Sequence, residues 1–200
     1  SGGLALPDAA SRSVGRTSGR AEAGGTIEWT GPAVAPPESV GGAVSMEQCY
    51  GYRREMPLIG MYVPSPWEPI ATQVAQYESS GGEEGGEMEG APCVILTTRG
   101  HKSGNLRKTP LIRVEHDGSY AVVASMGGAP NHPEWYHNLA DEAEATIQDG
   151  AEVHELVARE SGGKEKAAWW KRATDVWPAY DDYQASTDRV IPLVLLERVQ

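Results

Sequence analysis

Apolar residues recur at regular spacings only beyond Pro64. Residues 1–55 are Gly, Ala, Ser and Pro with scattered charges and hold no period of 2 or 3.6, so the pattern predicts a disordered N-terminal extension. Met46 and Met56 stand where a shorter protein could start. From Pro64 order is expected, with Pro66 in the first turn of a helix that carries Ile70, Val74 and Tyr77 on one face. The acidic, Gly-rich stretch GGEEGGEMEG at residues 81–90 reads as a flexible connection. Residues 56–90 therefore form an N-terminal helix and linker, ahead of a main unit at residues 91–200.

Within that unit the period shortens to that of strands. Residues 93–98, with the apolar run 93–96, read as the first strand, residues 107–116 alternate at Leu111, Ile112 and Val114, and Asp117-Gly118 is a two-residue hairpin signal leading to a third strand at 120–125. A loop, SMGGAPNH, follows, and Pro133 opens a short helix through Trp135, Tyr136 and Leu139 that ends near Asp141. Residues 145–148 and 152–158 flank Asp149-Gly150, a second signal of the same kind. Residues 164–177 have helical periodicity, Pro178 stops them, and residues 190–196 close the chain as a sixth strand. Six mostly antiparallel strands joined by tight hairpins, with two or three helices, predict a mainly β, α+β fold that closes into a small barrel. No glycine fingerprint lies between a strand and a helix in a parallel crossover, which argues against a dinucleotide-binding wound sheet.

Composition narrows the ligand. A net charge of -11 and a pI near 4.9 argue against nucleic acid. Against that background residues 99–113, RGHKSGNLRKTPLIR, carry Arg99, His101, Lys102, Arg107, Lys108 and Arg113 without a carboxylate. The tip GHKSG adds backbone amides made approachable by Gly100 and Gly104, and the Ser103 hydroxyl, which together suit a phosphate or carboxylate of a small ligand. The alternative is a solvated hairpin tip kept soluble by its charge. Cys49 and Cys93 lack a second cysteine nearby to make a metal pair, and fit reduced thiols in the cytoplasm. Arg53-Arg54 precede an apolar run too short for an export signal, and no stretch is long enough to span a bilayer, which leaves only peripheral membrane contact open. The absence of Phe carries no functional reading.

The loop Ala124-Ser125-Met126-Gly127-Gly128-Ala129-Pro130 leaves a strand directly, and its paired glycines would let a planar ring lie against backbone amides; an ordinary connection is the alternative. Trp177, Tyr180 and Tyr183 could line the mouth for a flat apolar substrate or pack as core. His132 and His137 lie five apart with no ligand set around them, so no metal is expected, and no nucleophile elbow supports a hydrolase.

Three blocks, VILTTRGHKSGNLRKTPLIRV, VVASMGGAPNHPEWYHNL and YDDYQASTDRVIPLVLLE, resemble in order and spacing the deazaflavin-dependent nitroreductases and F420H2-dependent quinone reductases of actinobacteria. The resemblance spans residues 64–198. It implies a split β-barrel of the pyridoxamine-phosphate-oxidase-like, FMN-binding-like type, reduced coenzyme F420 as hydride donor, and a quinone, nitroaromatic or activated alkene as acceptor. By position it implies that His101, Lys102, Ser103, Arg107, Lys108 and Thr109 hold the phosphate and acidic tail. Ala124, Ser125, Met126 and Gly127 would support the deazaflavin ring, with Trp135 and Asn138 over its edge. Tyr180, Tyr183 and Ser125 would border the substrate, a tyrosine supplying the hydrogen bond that stabilises charge growing on its oxygen. Relatives often carry Arg and Lys where this chain has His101 and Met126, which removes permanent charge from the groove. An FMN-dependent reductase and a non-catalytic deazaflavin carrier are the alternatives, and monomer and homodimer both stay open.

Overall fold

The computed structural model describes residues 58–198. The expected extension at 1–55, with Cys49 and Arg53-Arg54, lies outside the described residues. The strands are β1 (Glu87–Met88), β2 (Ala91–Arg99), β3 (Leu106–Ile112), β4 (Val114–His116), β5 (Ser119–Val123), β6 (Glu144–Asp149), β7 (Glu152–Glu160) and β8 (Leu193–Glu197). The helices are α1 (Glu68–Ser80), α2 (Glu134–Asp141), α3 (Gly163–Val176) and α4 (Ala179–Ala185).

The sheet closes through one bent segment. β3 and β4 are separated only by Arg113; β3 pairs antiparallel with β2, while β4 pairs with β5. From β2 the ladder runs through β6, β7 and β8 to β5, so the bend at Arg113 returns it to its start. This is the split barrel that the hairpin pattern and the resemblance led us to expect. Closure removes long unpaired edges.

Alternation along each strand sorts the side chains into two layers. Val94, Leu96, Tyr120, Val122, Ala145, Ile147, Leu156, Ala158, Val194 and Leu196 fill the barrel, and Trp135, Tyr136 and Leu139 of α2 plug one end. The opposite face of β5 and β8, with Ala121, Val123, Leu193 and Leu195, is covered by Trp169 and Ala173 of α3 and Tyr180 of α4. Ile95, also facing outward, packs under Val74 and Tyr77 of α1. Helices on the outside explain why β2 and β8 read as continuous apolar runs: both of their faces are buried.

Local differences from the sequence expectations have physical causes. Pro69, rather than Pro66, lies in the first turn of α1, and Trp67 caps it. Residues 81–90 are not a free linker: the Gln73 side chain donates to Gly85 O at 3.0 Å, and β1 pairs with the start of β2. Glycine is required there, since a Cβ on Gly85 would stand 2.8 Å from Gln73 O. Asp117 and Gly118 both take positive φ, as a type I′ hairpin demands. The second hairpin turns on Gly150 and Ala151, because Asp149 stays in the ladder opposite Glu152. There its carboxylate accepts from Arg113 Nε at 2.7 Å and from the Tyr120 hydroxyl at 2.9 Å. The helix expected to stop at Pro178 does end there, at Val176, and Pro178 then caps α4; β8 begins at Leu193, leaving Val190 exposed.

Candidate functional site

The basic tip joining β2 to β3 is a compact turn. Gly104 N and Ser103 N both donate to Gly100 O, and Gly100 N donates to Asn105 O. Gly100 is needed because a Cβ would meet Ser103 Oγ at 3.0 Å and Asn105 O at 3.2 Å. Asn138 of α2 ties this tip to the barrel. Its Oδ1 accepts His101 N–H at 3.1 Å, and its Nδ2 donates to Thr98 Oγ1 at 2.9 Å. The His101 Nδ1 contact to the same Oδ1, at 2.9 Å, then requires Nδ1 to carry the hydrogen, which leaves Nε2 facing outward toward Glu134 at 3.9 Å. Asn138 is buried and both ends of its amide are engaged, so it positions His101 rather than presenting itself to a ligand.

The segment is free of carboxylates in sequence but not in space. Arg99 pairs with Glu142, Lys102 with Glu134, Lys108 with Glu78 and Arg113 with Asp149. Arg107 has no carboxylate partner among the described residues; its guanidinium donates to Val63 O at 3.2 Å. Lys102 and Glu134 are both largely exposed, and the ammonium holds the Glu134 carboxyl below its ordinary range. Strand alternation also separates the basic residues. Arg107 and Thr109 share the face of Leu111, which packs on the barrel interior, whereas Lys108 points to the outer face, pairs with Glu78 of α1 and lies 4.7 Å from the Tyr62 ring centroid. The expectation that Lys108 joins Arg107 in one cradle is corrected by this geometry.

Residues 124–129 make the second part of the site. Ser125 is right-handed (φ -72, ψ -45), and Met126, Gly127 and Gly128 follow at φ 49, 64 and 81. Positive φ at a methionine is uncommon and holds only where the surroundings impose it. Gly128 N donates to Ser125 O and Ala129 N to Met126 O, while the N–H groups of Ser125, Met126 and Gly127 have no acceptor among the described residues. A right-handed residue followed by left-handed ones turns successive amides into a common concavity that suits an anion or a carbonyl edge. The turn packs on α4: a Cβ on Gly128 would overlap the Ser186 hydroxyl and stand 3.0 Å from Tyr183 O. Met126 is exposed beside this cup.

The aromatic candidates divide. Tyr180 is 5% exposed and packed in the outer cluster with Cys93, and burial pushes its hydroxyl well above the ordinary phenol range. Tyr183 is half-buried, with its ring 6.2 Å from that of Tyr180 and its backbone against Gly128. Trp177 packs against the outer cluster, and Trp135 is buried in the barrel end. The Cys93 thiol is pushed up to about 12, chiefly by burial, so it is no nucleophile.

Two connections between these parts carry no motif in the sequence. His101, His137 and His132 run in a row along α2, with ring centroids 5.8 Å and 6.1 Å apart. The row ends at Arg189, whose Nη1 donates to His132 Nδ1 at 3.0 Å. Arg189 also donates to Ala129 O, Ala124 O and Ser125 O. A lone Arg in the stretch before β8 offers no signal of this; only the return of β8 beside β5 brings it under the turn. Among the described residues no group of His, Cys, Asp and Glu could hold a metal ion, and no helix is long and apolar enough to cross a membrane.

Known proteins share this arrangement of sequence. The family described as F420H(2)-dependent quinone reductase matches residues 70–198. An F420H(2)-dependent quinone reductase of Mycobacterium tuberculosis is 33% identical over 128 residues, covering 62% of this chain and 86% of the relative. A solved structure described as an F420-H2 dependent reductase is 48% identical, with a TM-score of 0.51, covering 53% of this chain and 94% of that one. Another, described as a domain-swapped dimer, is 41% identical, with a TM-score of 0.53, covering 63% of this chain and 92% of that one.

Proposed function

This chain belongs to the F420H(2)-dependent quinone reductase family, and from that premise we propose that it passes a hydride from reduced F420 to a quinone held between the basic tip and the Ser125 turn. The observation that carries this reading is the cup of three amides at Ser125, Met126 and Gly127 that have no acceptor among the described residues, set directly off β5 and beside the half-buried Tyr183.

The residues present fit a planar cofactor with a carbonyl-bearing edge and an anionic tail. The amides at 125–127 would hold the ring edge, with Gly127 leaving the approach clear of a side chain. Lys102 would take the tail phosphate by exchanging its pair with Glu134; both partners are exposed, and such pairs contribute only about 0 to 1 kcal/mol. Arg107 supplies a cation with no carboxylate to displace among the described residues, and His101, held by Asn138, presents Nε2 at the same end. His101 adds charge only when protonated, as an Arg would always do.

Reduced F420, when bound, supplies the hydride. The protein aligns donor and acceptor carbons and stabilises the negative charge that grows on the acceptor oxygen as the hydride arrives. Tyr183 would donate a hydrogen bond to that oxygen; Tyr180 is buried in packing, with its ring 6.2 Å from that of Tyr183. Nitroaromatics and activated alkenes present the same electron-poor carbon or nitrogen beside an oxygen and would enter the same mouth. The neighbour described as a domain-swapped dimer supports assembly as a homodimer, which light scattering of the full chain would check.

Titration of the full chain with F420 and, separately, FMN tests the cofactor, the expected result being tight binding of the deazaflavin alone. Stopped-flow mixing of the F420H2-loaded protein with menadione tests the reaction. Oxidation no faster than without protein would make the chain a carrier.

A further inference from the structure

We propose that Arg189 is the positioning residue of the cofactor cup: its guanidinium is the template over which residues 124–129 fold, and its charge backs the outward-facing amides. The inference rests on the reading of those amides as the ring-holding end of the site.

Three neighbouring carbonyls converge on this side chain. Nε donates to Ala129 O at 2.8 Å, and Nη2 donates to Ser125 O at 2.7 Å and Ala124 O at 3.0 Å. Nη1 donates to His132 Nδ1 at 3.0 Å, a contact that needs His132 neutral with its hydrogen on Nε2, because a guanidinium only donates. Ala124 and Ala129 flank the left-handed run of Met126, Gly127 and Gly128, so the fork holds both ends of the strained turn. Because N–H and C=O point opposite ways across a trans peptide, turning the carbonyls of Ala124 and Ser125 inward to Arg189 leaves the amides of Ser125 and Met126 facing the other way.

The fork is itself held. Gln184 of α4 brackets Arg189 through the backbone, its Nε2 donating to Arg189 O at 2.9 Å and its Oε1 accepting Ile191 N–H at 2.8 Å. No carboxylate pairs with Arg189 among the described residues, in contrast to Arg99, Arg113 and Arg159. Its positive charge is therefore not cancelled locally and adds to the field of the cup. Lysine could keep the charge but cannot present a planar fork to carbonyls on both sides of a turn.

Two variants of the full chain, Arg189→Ala and Arg189→Lys, separate this role from general stability. Without cofactor, hydrogen exchange at Ala124, Gly128 and Ala129, the hydrogen-bonded amides of the turn, is expected to accelerate in both while β5 and β8 stay protected. F420 affinity is expected to fall by about tenfold or more in the alanine variant, the scale of one lost charge-assisted hydrogen bond, and guanidinium ion should restore part of it. Lysine should recover less than half of that loss on a logarithmic scale. Unchanged exchange at the turn in both variants, or full affinity with lysine, would overturn the proposal. Exchange that accelerates through the whole barrel in the lysine variant would also overturn it, by reducing Arg189 to ordinary packing. Wild-type protein that binds no F420 removes the cofactor reading, while the exchange measurement still decides whether Arg189 shapes the turn.

Discussion

Replacing Asn138 by Ala should separate the basic tip from the barrel. The side chain makes three polar contacts, to His101 N, His101 Nδ1 and Thr98 Oγ1, at 3.1, 2.9 and 2.9 Å. Asn138 is 4% exposed and Thr98 1%, so water replaces these contacts poorly. Each neutral hydrogen bond contributes about 1 kcal/mol net, and an orphaned buried group costs about 1 to 3 kcal/mol. The His101 side of the site is partly open and can recover water, which leaves a total near 2 to 3 kcal/mol. For a unit of this size that corresponds to a fall in Tm of roughly 5 to 10 °C. Thermal unfolding by circular dichroism gives that number, and fluorescence titration with F420 should show weaker binding beyond what unfolding explains, because His101 and the tip amides lose their anchor. A variant within about 1 °C of wild type that binds F420 equally well would refute the reasoning and make Asn138 a passive filler.

Three further outcomes are expected. Tyr183→Phe should lower kcat with menadione by about tenfold or more at nearly constant KM, whereas Tyr180→Phe should leave turnover within about twofold; equal effects in steady-state assays would remove Tyr183 from the reaction. Arg107→Ala should weaken F420 binding while Lys108→Ala leaves it nearly unchanged, since Lys108 faces Glu78 and Tyr62 on the far side of β3; the same titration decides. His132 is held below its ordinary pKa of 6.5, first by burial and then by Arg189 and His137. The unfolded chain therefore takes up a proton more readily than the folded one, so this contribution is complete above about pH 6.5 and is lost as pH falls through the folded value. Tm curves against pH for wild type and His132→Asn should diverge below 6.5, with wild type falling faster; parallel curves would show that His132 does not titrate against Arg189.

What the sequence determined on its own was most of the succession of elements and the strands joined by hairpins, but not β1, the break at Arg113 or the pairings that close the sheet. The signal is local: alternation in β3, the Asp117-Gly118 turn, the apolar runs of β2 and β8 and the helical stripe of α3 depend on neighbours a few residues away. The resemblance of three blocks then pointed to the family, which matches residues 70–198. Even the two faces of β3 were implicit in its period, which separates Lys108 from Arg107.

The tertiary structure alone decided the electrostatics and shape of the site. A stretch of six basic residues reads as a bare cation cradle, yet Glu142, Glu134, Glu78 and Asp149 arrive from α1, α2, β6 and their connections to pair with four of them. Charge acts through space, so its neutralisation cannot be seen along the chain. The same holds for Tyr180 and Tyr183, three residues apart in α4: one is buried within the outer cluster, and the other is half-buried at its edge with its backbone against Gly128. Arg189 is the clearest case, since a guanidinium becomes a template only when barrel closure brings carbonyls some sixty residues away within hydrogen-bond reach.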